Sequence, residues 1–324
     1  MRANPVPNLE RLQDRALLLR QIRSFFDAAG FLEVQPPCLA AGCVVDPYID
    51  PIKVSAKQLG IAEPQLAGDY FLQTSPELSM KRMLAAGAPS IYSVAPVFRA
   101  GERGDQHNIE FTMLEWYDVG ADLASGIKTL SDFACAVLDY PDCECVTYRD
   151  LFRRTLGLDP IECRLERLVE MAACIDDSLA HSFACDRDGL LDLLFTQRIQ
   201  PMLGIDKPTI VKNYPLSQAA LARGCSDDSD CAARFELFAR GVELANGYDE
   251  LLDPEILIER TRISNQRRIA SGRAALPENH ALLDAMRHGM PPSAGVAVGV
   301  DRLLMVKTHA NSIASVIPFP IEIA

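Results

Sequence analysis

Apolar residues near the start of the chain recur every three or four positions, which is the spacing of one face of an α-helix. They are Leu9, Leu12, Ala16, Leu19, Ile22 and Phe26. This spacing predicts an amphipathic helix over residues 8–29, with Asn8 as its N-terminal cap and Gly30 as its stop. A short strand is predicted at residues 31–34, and Pro36 ends it.

Two β-rich runs, at residues 91–99 and 109–119, flank the polar loop AGERGDQHN. Long runs around a glycine-containing loop predict an antiparallel hairpin. A second hairpin is predicted from residues 235–238 and 242–245, with its turn at Arg240 and the glycine after it. In the second arm of the first hairpin, alternation places one set of side chains on a common face. That set is Ile109, Phe111, Met113, Glu115 and Tyr117.

Further segments predict both strands and helices. They are a strand at 70–77 followed by a helix to residue 86, helices within 121–205 and at 254–270, and a strand at 295–300 that runs into a helix near Asp301. Because strands from both ends of the chain surround a helical middle, we predict an α+β fold. The predicted organisation is one domain over residues 1–324, with a mostly helical insertion at about 121–205.

The composition is that of a globular protein with a large core, since 48% of its 324 residues are hydrophobic. The 44 acidic residues outnumber the 32 basic ones, which gives a net charge of −12. An acidic chain lacks the broad basic surface with which proteins hold nucleic acid phosphates. The charge therefore argues against a protein whose main task is to bind nucleic acid, but it does not exclude a local basic site. The sequence has no P-loop and no GxGxxG dinucleotide motif.

The sequence does not predict a membrane or secreted protein. No apolar run approaches the length of a bilayer span, and no apolar stretch follows Arg2 as it does in a signal peptide. We therefore expect a cytoplasmic protein without a membrane partner, whose ten cysteines remain thiols.

Polar residues gather at predicted strand ends and hairpin loops, where the fold does not require them. They are Ser75, Glu77, Arg99, Glu102, Arg103, His107, Asn108, Glu115, Tyr117, Glu236, Glu243, Asn246, Glu250 and Arg302. Two arginines can hold a polyphosphate, and two carboxylates suit Mg²⁺ together with substrate phosphates. Further carboxylates suit a cationic group. If these residues converge, they can bind a magnesium nucleotide and an amine.

Three segments resemble motifs of class II aminoacyl-tRNA synthetases of the lysyl type. They are GFLEVQPPCL at 30–39 for motif 1, FRAGERGDQHNIEFTMLEWY at 98–117 for motif 2, and GVAVGVDRLLM at 295–305 for motif 3. TSPE at 74–77 and ELANGYDEL at 243–251 resemble lysyl-type substrate segments. The resemblance spans nearly the whole chain. It is strongest to the short paralogue family that joins (R)-β-lysine to a lysine of elongation factor P.

This resemblance implies an antiparallel β-sheet flanked by helices, and an ATP-dependent, AMP-forming ligase that works as a homodimer through motif 1. Arg99 and Arg302 would be the catalytic residues. Arg99 would hold the α-phosphate and the substrate carboxylate, and Phe111 would stack on one face of adenine. Arg302 would lie behind the other face of adenine, near the γ-phosphate.

The resemblance also implies three sets of ligand-binding residues. The ATP-binding set is Arg99, Ala100, Gly101, Glu102, His107, Asn108, Phe111, Glu243, Leu244, Gly299 and Arg302. The substrate-binding set is Ser75, Pro76, Glu77, Glu115, Tyr117, Asn246, Tyr248, Glu250 and Ala297. The magnesium ligands would be Glu236 and Glu243, or Glu243 alone.

Two positions depart from the lysyl pattern. Asn-Glu usually follows the motif 2 arginine, whereas here Ala100 and Gly101 precede Glu102. Either Glu102 reaches adenine through a shifted loop, or Gly101 supplies backbone contacts alone. Ala297 stands where lysyl synthetases have glycine, and its methyl group implies a preference for β-lysine over α-lysine on the order of 1–3 kcal/mol.

Two other functions remain open from the sequence. The same first step could serve aminoacylation of tRNA, although the chain starts in the motif 1 helix without an anticodon-binding domain and is acidic. The chain could also be a non-catalytic class II paralogue. Exchange of pyrophosphate into ATP, and the mass of elongation factor P after incubation, would distinguish these functions from the ligase.

Overall fold

The computed structural model describes residues 9–324, which fall into two compact units. The first unit comprises the chain up to Ala121 together with Leu251–Ala324, and the second is Asp122–Glu250. The predicted N-terminal helix is present at Leu9–Ala28, whereas its predicted cap, Asn8, lies outside the described residues. Across the part of the chain that is described, no helix has both the length and the apolar character needed to cross a membrane.

Helices and strands both contribute to each unit. In chain order the helices are α1 (Leu9–Ala28), α2 (Glu77–Ala85), α3 (Leu123–Leu138), α4 (Tyr148–Leu156), α5 (Leu165–Ala173), α6 (Asp177–Ser182), α7 (Arg187–Leu194), α8 (Pro254–Ala270), α9 (His280–Gly289) and α10 (Val300–Lys307). The strands are β1 (Leu32–Glu33), β2 (Leu39–Ala40), β3 (Lys53–Ser55), β4 (Asp69–Leu72), β5 (Ile91–Phe98), β6 (Glu110–Val119), β7 (Glu144–Thr147), β8 (Thr209–Pro215), β9 (Cys231–Ala239), β10 (Val242–Asp249) and β11 (Ser293–Gly299).

Four strands of the first unit form one sheet in the order β1-β5-β6-β11. The first predicted hairpin is present, since β5 and β6 pair antiparallel. β11 pairs antiparallel with β6, and β1 runs parallel to β5. A smaller sheet has the order β2-β4-β3. The predicted strand 70–77 is shorter than expected, because it ends at Leu72 and Pro76 already caps the start of α2.

The two faces of the larger sheet carry side chains of different size. On one face Tyr92 and Trp116 are buried against Phe26 of α1, with ring centroids 4.8 Å and 5.0 Å from that of Phe26. On the other face, every second residue of β11 between Gly295 and Gly299 is glycine or alanine. These residues leave space beside Glu115 that larger side chains would fill.

The second unit contains strands in the order β10-β9-β8-β7 and the five helices α3–α7. The second predicted hairpin is present as β9 and β10, and both Arg240 and Gly241 adopt positive φ at its turn. Such a turn matches the twist of paired strands. The predicted helical stretch is mostly helical but includes β7 and a π-helical turn at Phe195–Ile199. One domain with an insertion stays a prediction.

Aromatic side chains join the helices of the second unit to its sheet. The Tyr148 ring of α4 lies 5.2 Å from Phe195 and 4.8 Å from Tyr214 of β8. Phe238 of β9 lies 5.7 Å from Phe195. Because these rings are all buried, they fix α4 and the π-helical turn against the strands that carry the polar residues of this unit.

Candidate active site

Glu115 lies in the middle of β6 with only 2% of its surface exposed. Its carboxylate accepts hydrogen bonds from the hydroxyls of Ser75 and Tyr117, both at 2.7 Å. Burial and, to a lesser degree, the nearby Glu77 carboxylate raise the pKa of Glu115 to about 7. A buried carboxylate is costly without a compensating cation, so this position suits an ammonium group.

Glu77 is a second buried carboxylate close to Glu115, in the first turn of α2. Its backbone N–H donates to the Ser75 hydroxyl at 3.0 Å, and its carboxylate accepts a hydrogen bond from Lys81. The Lys81 ammonium group is buried and lies 5.9 Å from the centre of the Tyr117 ring. We call Ser75, Glu77, Lys81, Glu115 and Tyr117 the Glu115 cluster. The sequence prediction missed Lys81, although its i,i+4 spacing from Glu77 was an available signal.

Ala297 and Ser93 lie on either side of Glu115 in the sheet. Ala297 of β11 and Ser93 of β5 are both directly opposite Glu115 in their strand pairings. Residues opposite one another in neighbouring strands share a face, so both side chains lie next to this carboxylate. The Ser93 hydroxyl is buried and has no hydrogen-bond partner among the described residues.

Arg99 lies between Phe111 and Glu102. Its guanidinium carbon is 5.1 Å from the centre of the Phe111 ring, a distance typical of cation–π contact. Its Nη1 is 3.7 Å from the Glu102 carboxylate, and its Nε donates to the Thr74 carbonyl at 3.5 Å. The two residues predicted to contact the α-phosphate and adenine are therefore neighbours.

Arg302 contacts the loop that joins β5 to β6. Its Nη2 donates to Nε2 of His107 at 2.7 Å, and its Nε donates to the Gln106 carbonyl at 3.1 Å. Burial and the Arg302 charge lower the pKa of His107, while Glu102 opposes and Arg99 reinforces this shift. The neutral imidazole can thus accept the Arg302 hydrogen bond. Both predicted catalytic arginines therefore lower the pKa of His107.

The unusual Ala100-Gly101 segment forms a tight turn. Gly101 adopts a φ of 78°, a conformation that favours glycine. The Ala100 N–H donates to the Asp50 carbonyl at 2.8 Å, and the Glu102 N–H donates to the Arg99 carbonyl at 3.4 Å. The turn brings the Glu102 side chain back beside Arg99. Its contact with adenine stays a prediction.

Asn108 uses both ends of its buried amide to hold backbone. Its Nδ2 donates to the Glu110 carbonyl at 2.6 Å, and its Oδ1 accepts from the Ile321 N–H at 3.2 Å. These bonds fix the start of β6 next to Phe111. The predicted contact of Asn108 with the nucleotide stays a prediction.

A partly buried ion pair that the sequence analysis missed helps to position Arg302. Asp301, in the first turn of α10, accepts hydrogen bonds from Arg15 of α1 and from the backbone N–H of Thr112 at 2.7 Å. Gly299 precedes this helix, and a Cβ built on it would contact the Arg302 side chain at 3.7 Å. The position of Arg302 therefore depends on contacts with α1 and β6.

In the second unit, a β-bulge between Glu243 and Ala245 changes the register of the hairpin. Glu243 is opposite Phe238, and Asn246 is opposite Glu236, so the bulge adds Leu244 as one unpaired residue. Because one residue is added, Glu243 and Asn246 lie on the same face of β10. Leu244, predicted to bind the nucleotide, is buried.

Glu236 and Glu243 line a cavity of about 180 Å³ on this face, together with Asp192, Tyr148 and Arg234. The Glu236 carboxylate accepts hydrogen bonds from the Tyr214 hydroxyl and from Arg234, each at 2.5 Å. Burial raises the pKa of Glu236, Arg234 opposes the shift, and Glu243 reinforces it. Three carboxylates and one guanidinium thus surround the cavity, which favours a cation.

The donor set of this cavity fits a magnesium ion that takes further ligands from a substrate. Within residues 9–324, no group of three or more His, Cys, Asp or Glu side chains is arranged to hold a metal ion. Mg²⁺ commonly binds one or two carboxylates and completes its coordination with water and phosphate oxygens. The sequence analysis missed Asp192 and Tyr148, whose hydroxyl is buried and has no hydrogen-bond partner among the described residues.

Two of the predicted substrate residues of the second unit, Asn246 and Tyr248, are connected to Arg234 by hydrogen bonds. Its Nε donates to Oδ1 of Asn246 at 3.3 Å, and Nδ2 of Asn246 donates to the Tyr248 hydroxyl at 2.9 Å. Glu250 is 1% exposed and forms an isolated β-bridge with Ala222. All three predicted residues therefore occupy ordered positions in or directly after β10.

Comparison with known proteins identifies the family. The model of the family described as tRNA synthetases class II (D, K and N) matches residues 6–323. The chain belongs to this family. Its predicted fold class is confirmed, namely the α+β catalytic domain of class II synthetases with a mainly antiparallel sheet.

Several class II relatives are similar over nearly their whole length. The chain is 39% identical over 318 residues to the elongation factor P–(R)-β-lysine ligases of Pseudoalteromonas translucida (strain TAC 125) and Salmonella paratyphi B, covering 98% of this chain and 97% of each relative. It is 40% identical over 317 residues to the ligase of that name from Salmonella arizonae, covering 98% and 96%. The similarity to these class II proteins is thus not confined to the motifs.

Proposed function

We propose that this chain is an ATP-dependent ligase that activates (R)-β-lysine, or lysine, and transfers it to the ε-amine of a lysine on elongation factor P. The name of the similar ligases supports this substrate and this acceptor. The observation that carries the proposal is the Glu115 cluster, where the buried carboxylates of Glu77 and Glu115 are accompanied by one ammonium group, that of Lys81, among the described residues. Such a surplus of negative charge suits a substrate with ammonium groups.

In the first step, the substrate carboxylate would attack the α-phosphorus of ATP, and pyrophosphate would leave. Arg99 would bind the α-phosphate and the attacking carboxylate, and Arg302 would bind the γ-phosphate. Phe111 would stack on adenine. Both arginines stabilise negative charge that develops at phosphorus, and this charge stabilisation together with positioning supplies most of the catalysis.

Glu236 and Glu243 would hold Mg²⁺ in the second unit. Magnesium, when bound, would neutralise phosphate charge. Tyr214 and Arg234 already orient the Glu236 carboxylate through hydrogen bonds. Arg234 would also position Asn246, through the bond that it donates to the amide oxygen.

The amino groups of the substrate would bind to the carboxylates of Glu77, Glu115 and Glu250. Ser75, Asn246 and Tyr248 would supply the neutral polar contacts, and Tyr117 would hold Glu115 through its hydroxyl. Ala297 would limit the space beside Glu115.

In the second step, the ε-amine of the acceptor lysine would attack the carbonyl carbon of the aminoacyl-adenylate. AMP would leave, an amide bond would form, and the amine would lose a proton to solvent. We assign no side chain as a general base, because the adenylate is already an activated acyl group and its phosphate is the leaving group.

We further propose that the ligase is a cytoplasmic homodimer without tRNA as a substrate. The resemblance of residues 30–39 to motif 1 supports the dimer, and the net charge of −12 argues against tRNA. Light scattering of the purified protein measures its mass in solution. A mass of two chains is expected, and a monomer would contradict this assignment.

Exchange of labelled pyrophosphate into ATP tests the proposed activation step. We expect exchange that requires both Mg²⁺ and a diamino acid, with (R)-β-lysine more effective than α-lysine. Exchange with α-lysine alone would favour aminoacylation of tRNA, and a chain that exchanges with neither would be a non-catalytic paralogue.

A further inference from the structure

Lys81 is the charged residue of the Glu115 cluster that no sequence motif accounts for. It is 3% exposed and donates a hydrogen bond to the Glu77 carboxylate. A buried salt bridge is weak support for stability, because the cost of removing two charges from water can exceed the gain from their attraction. The burial of Lys81 beside two carboxylates therefore calls for another explanation.

The two carboxylates of the cluster repel one another. The Glu77 charge raises the pKa of Glu115, whereas the Lys81 charge lowers it. When two buried carboxylates share a site without a cation, one of them holds a proton at neutral pH. Lys81 supplies such a cation within the fold.

Lys81 contacts Glu77 directly and reaches Glu115 through Tyr117. It binds Glu77 through its ammonium group and lies 5.9 Å from the centre of the Tyr117 ring. The hydroxyl of that tyrosine donates to Glu115 at 2.7 Å. A change at position 81 therefore acts on Glu77 directly and on Glu115 through both charge and the Tyr117 contact.

The groups that face Glu115 come from its own strand and from three neighbouring elements. Glu77 and Lys81 face it from α2, Tyr117 faces it along β6, and the uncharged Ser93 and Ala297 flank it from β5 and β11. Burial is the largest cause of the raised pKa of Glu115, and the Glu77 charge raises it further. The hydrogen bonds from Ser75 and Tyr117 and the Lys81 charge all lower it.

We propose that Lys81 is a positioning residue that keeps Glu77 and Glu115 ionised together above neutral pH, so that the cluster there accepts a substrate ammonium group with little release of protons. The identity of the ligand rests on the proposed function. The ionisation of the two carboxylates does not depend on it.

Calorimetry of (R)-β-lysine binding, in two buffers of different ionisation enthalpy, counts the protons released. At pH 8, a Glu115 pKa of about 7 predicts release of about one tenth of a proton from the wild-type protein. We expect Lys81→Met to release nearly one proton and to bind about tenfold more weakly at pH 8, with much of the affinity regained at higher pH. Lys81→Arg should retain the wild-type proton count.

Two further variants complete the binding test. Lys128→Met is the matched control, because Lys128 forms an exposed i,i+4 pair with Asp132 and should leave the proton count unchanged. The Glu77→Gln/Lys81→Met double variant removes both charges and should release no more protons than the wild type. If Lys81→Met does not fold, the proton counts of the double variant and of Lys81→Arg still test the proposal. An unchanged proton count in folded Lys81→Met, or a loss of affinity equal at every pH, would overturn the proposal.

Infrared spectroscopy of the ligand-free protein separates this inference from the proposed function. We expect Lys81→Met to gain a carboxylic acid C=O band at pH 8, and this band should be absent from a Glu115→Gln/Lys81→Met variant. A folded Lys81→Met protein without the band would refute the role of Lys81, even if the ligase activity is established. If (R)-β-lysine and lysine both fail to bind the wild type, the proposed function fails while the infrared result still decides the role of Lys81.

Discussion

Ala297 of β11 lies directly opposite Glu115 of β6 in the paired strands. Side chains in such positions share a face and have Cβ atoms about 4.5–5.5 Å apart. The Ala297 methyl group therefore limits the space beside a buried carboxylate without changing its charge. The sequence analysis proposed that this methyl group distinguishes β-lysine from α-lysine, and the structure places Glu115 next to it.

Replacing Ala297 by glycine should relax the preference for (R)-β-lysine over α-lysine. The methyl group and its contacts are lost, and one such group changes discrimination by about 10-fold or more in a tight pocket. The ratio of kcat/KM for the two amino acids in pyrophosphate exchange measures the effect. Ala294→Gly has the same backbone cost on the opposite face of β11 and should keep the wild-type ratio. An unchanged ratio in Ala297→Gly would exclude the methyl group as the discriminator.

Glu115→Gln should stabilise the ligand-free protein at pH 8 while abolishing diamino acid binding. The Glu115 pKa is raised to about 7 from a usual value of 4.5, so the protonated form is favoured in the folded state. The protonated Glu115 side chain therefore contributes fully to the free energy of unfolding below pH 4.5, and this contribution is lost as the pH rises through 7. The gain from glutamine should therefore be on the order of 3 kcal/mol at pH 8 and small at pH 5.

Denaturant unfolding at both pH values measures this difference in the free energy of unfolding. Substrate binding by the wild type should also weaken as the pH falls below 7, because the carboxylate becomes protonated. If Glu115→Gln instead lowers the free energy of unfolding by the same amount at pH 5 and pH 8, ionisation of the Glu115 carboxylate does not cause the predicted pH dependence of stability.

Arg302→Ala should abolish pyrophosphate exchange. The guanidinium group is anchored to Gln106 and His107 by hydrogen bonds, and loss of a preorganised charge at a reacting phosphate costs about 100-fold or more. Arg262→Ala is the control, since Arg262 forms an exposed pair with Glu259 and should exchange normally. Nearly normal exchange by folded Arg302→Ala would remove Arg302 from the phosphate site.

Glu243→Gln and Glu236→Gln should each raise the Mg²⁺ concentration that gives half-maximal exchange. Each substitution removes one charged oxygen ligand from a cation site with only two predicted protein ligands. Titration of exchange activity with MgCl₂ measures the shift. An effect of Glu243→Gln alone would identify Glu243 as the single ligand, and no effect of either would contradict the metal assignment.

The sequence predicted the features that depend on local spacing. Period-two alternation in β6 placed Phe111, Glu115 and Tyr117 on one face, because residues two apart in a strand point to the same side. The hairpins and the helix at Leu9–Ala28 followed from the same kind of local pattern. The roles of single residues came instead from the family resemblance.

The features that the sequence could not predict depend on distant contacts or on register. The bulge at Leu244 determines which side chains lie on the same face of β10 as Glu243, and no residue type in that segment predicts a bulge. Asp301 meets Arg15 across 286 positions of sequence, and Asp192 joins the cavity of Glu236 through the packing of α7. Such pairings are decided by tertiary packing, which local propensity does not encode.

Intact mass spectrometry of elongation factor P tests the central claim most directly. The protein is incubated with the ligase, ATP, Mg²⁺ and (R)-β-lysine, and charging of lysine tRNA is measured beside it. We predict that elongation factor P gains the mass of one β-lysyl group on a lysine side chain, while the tRNA stays uncharged. An unmodified elongation factor P together with aminoacylated tRNA would contradict the account.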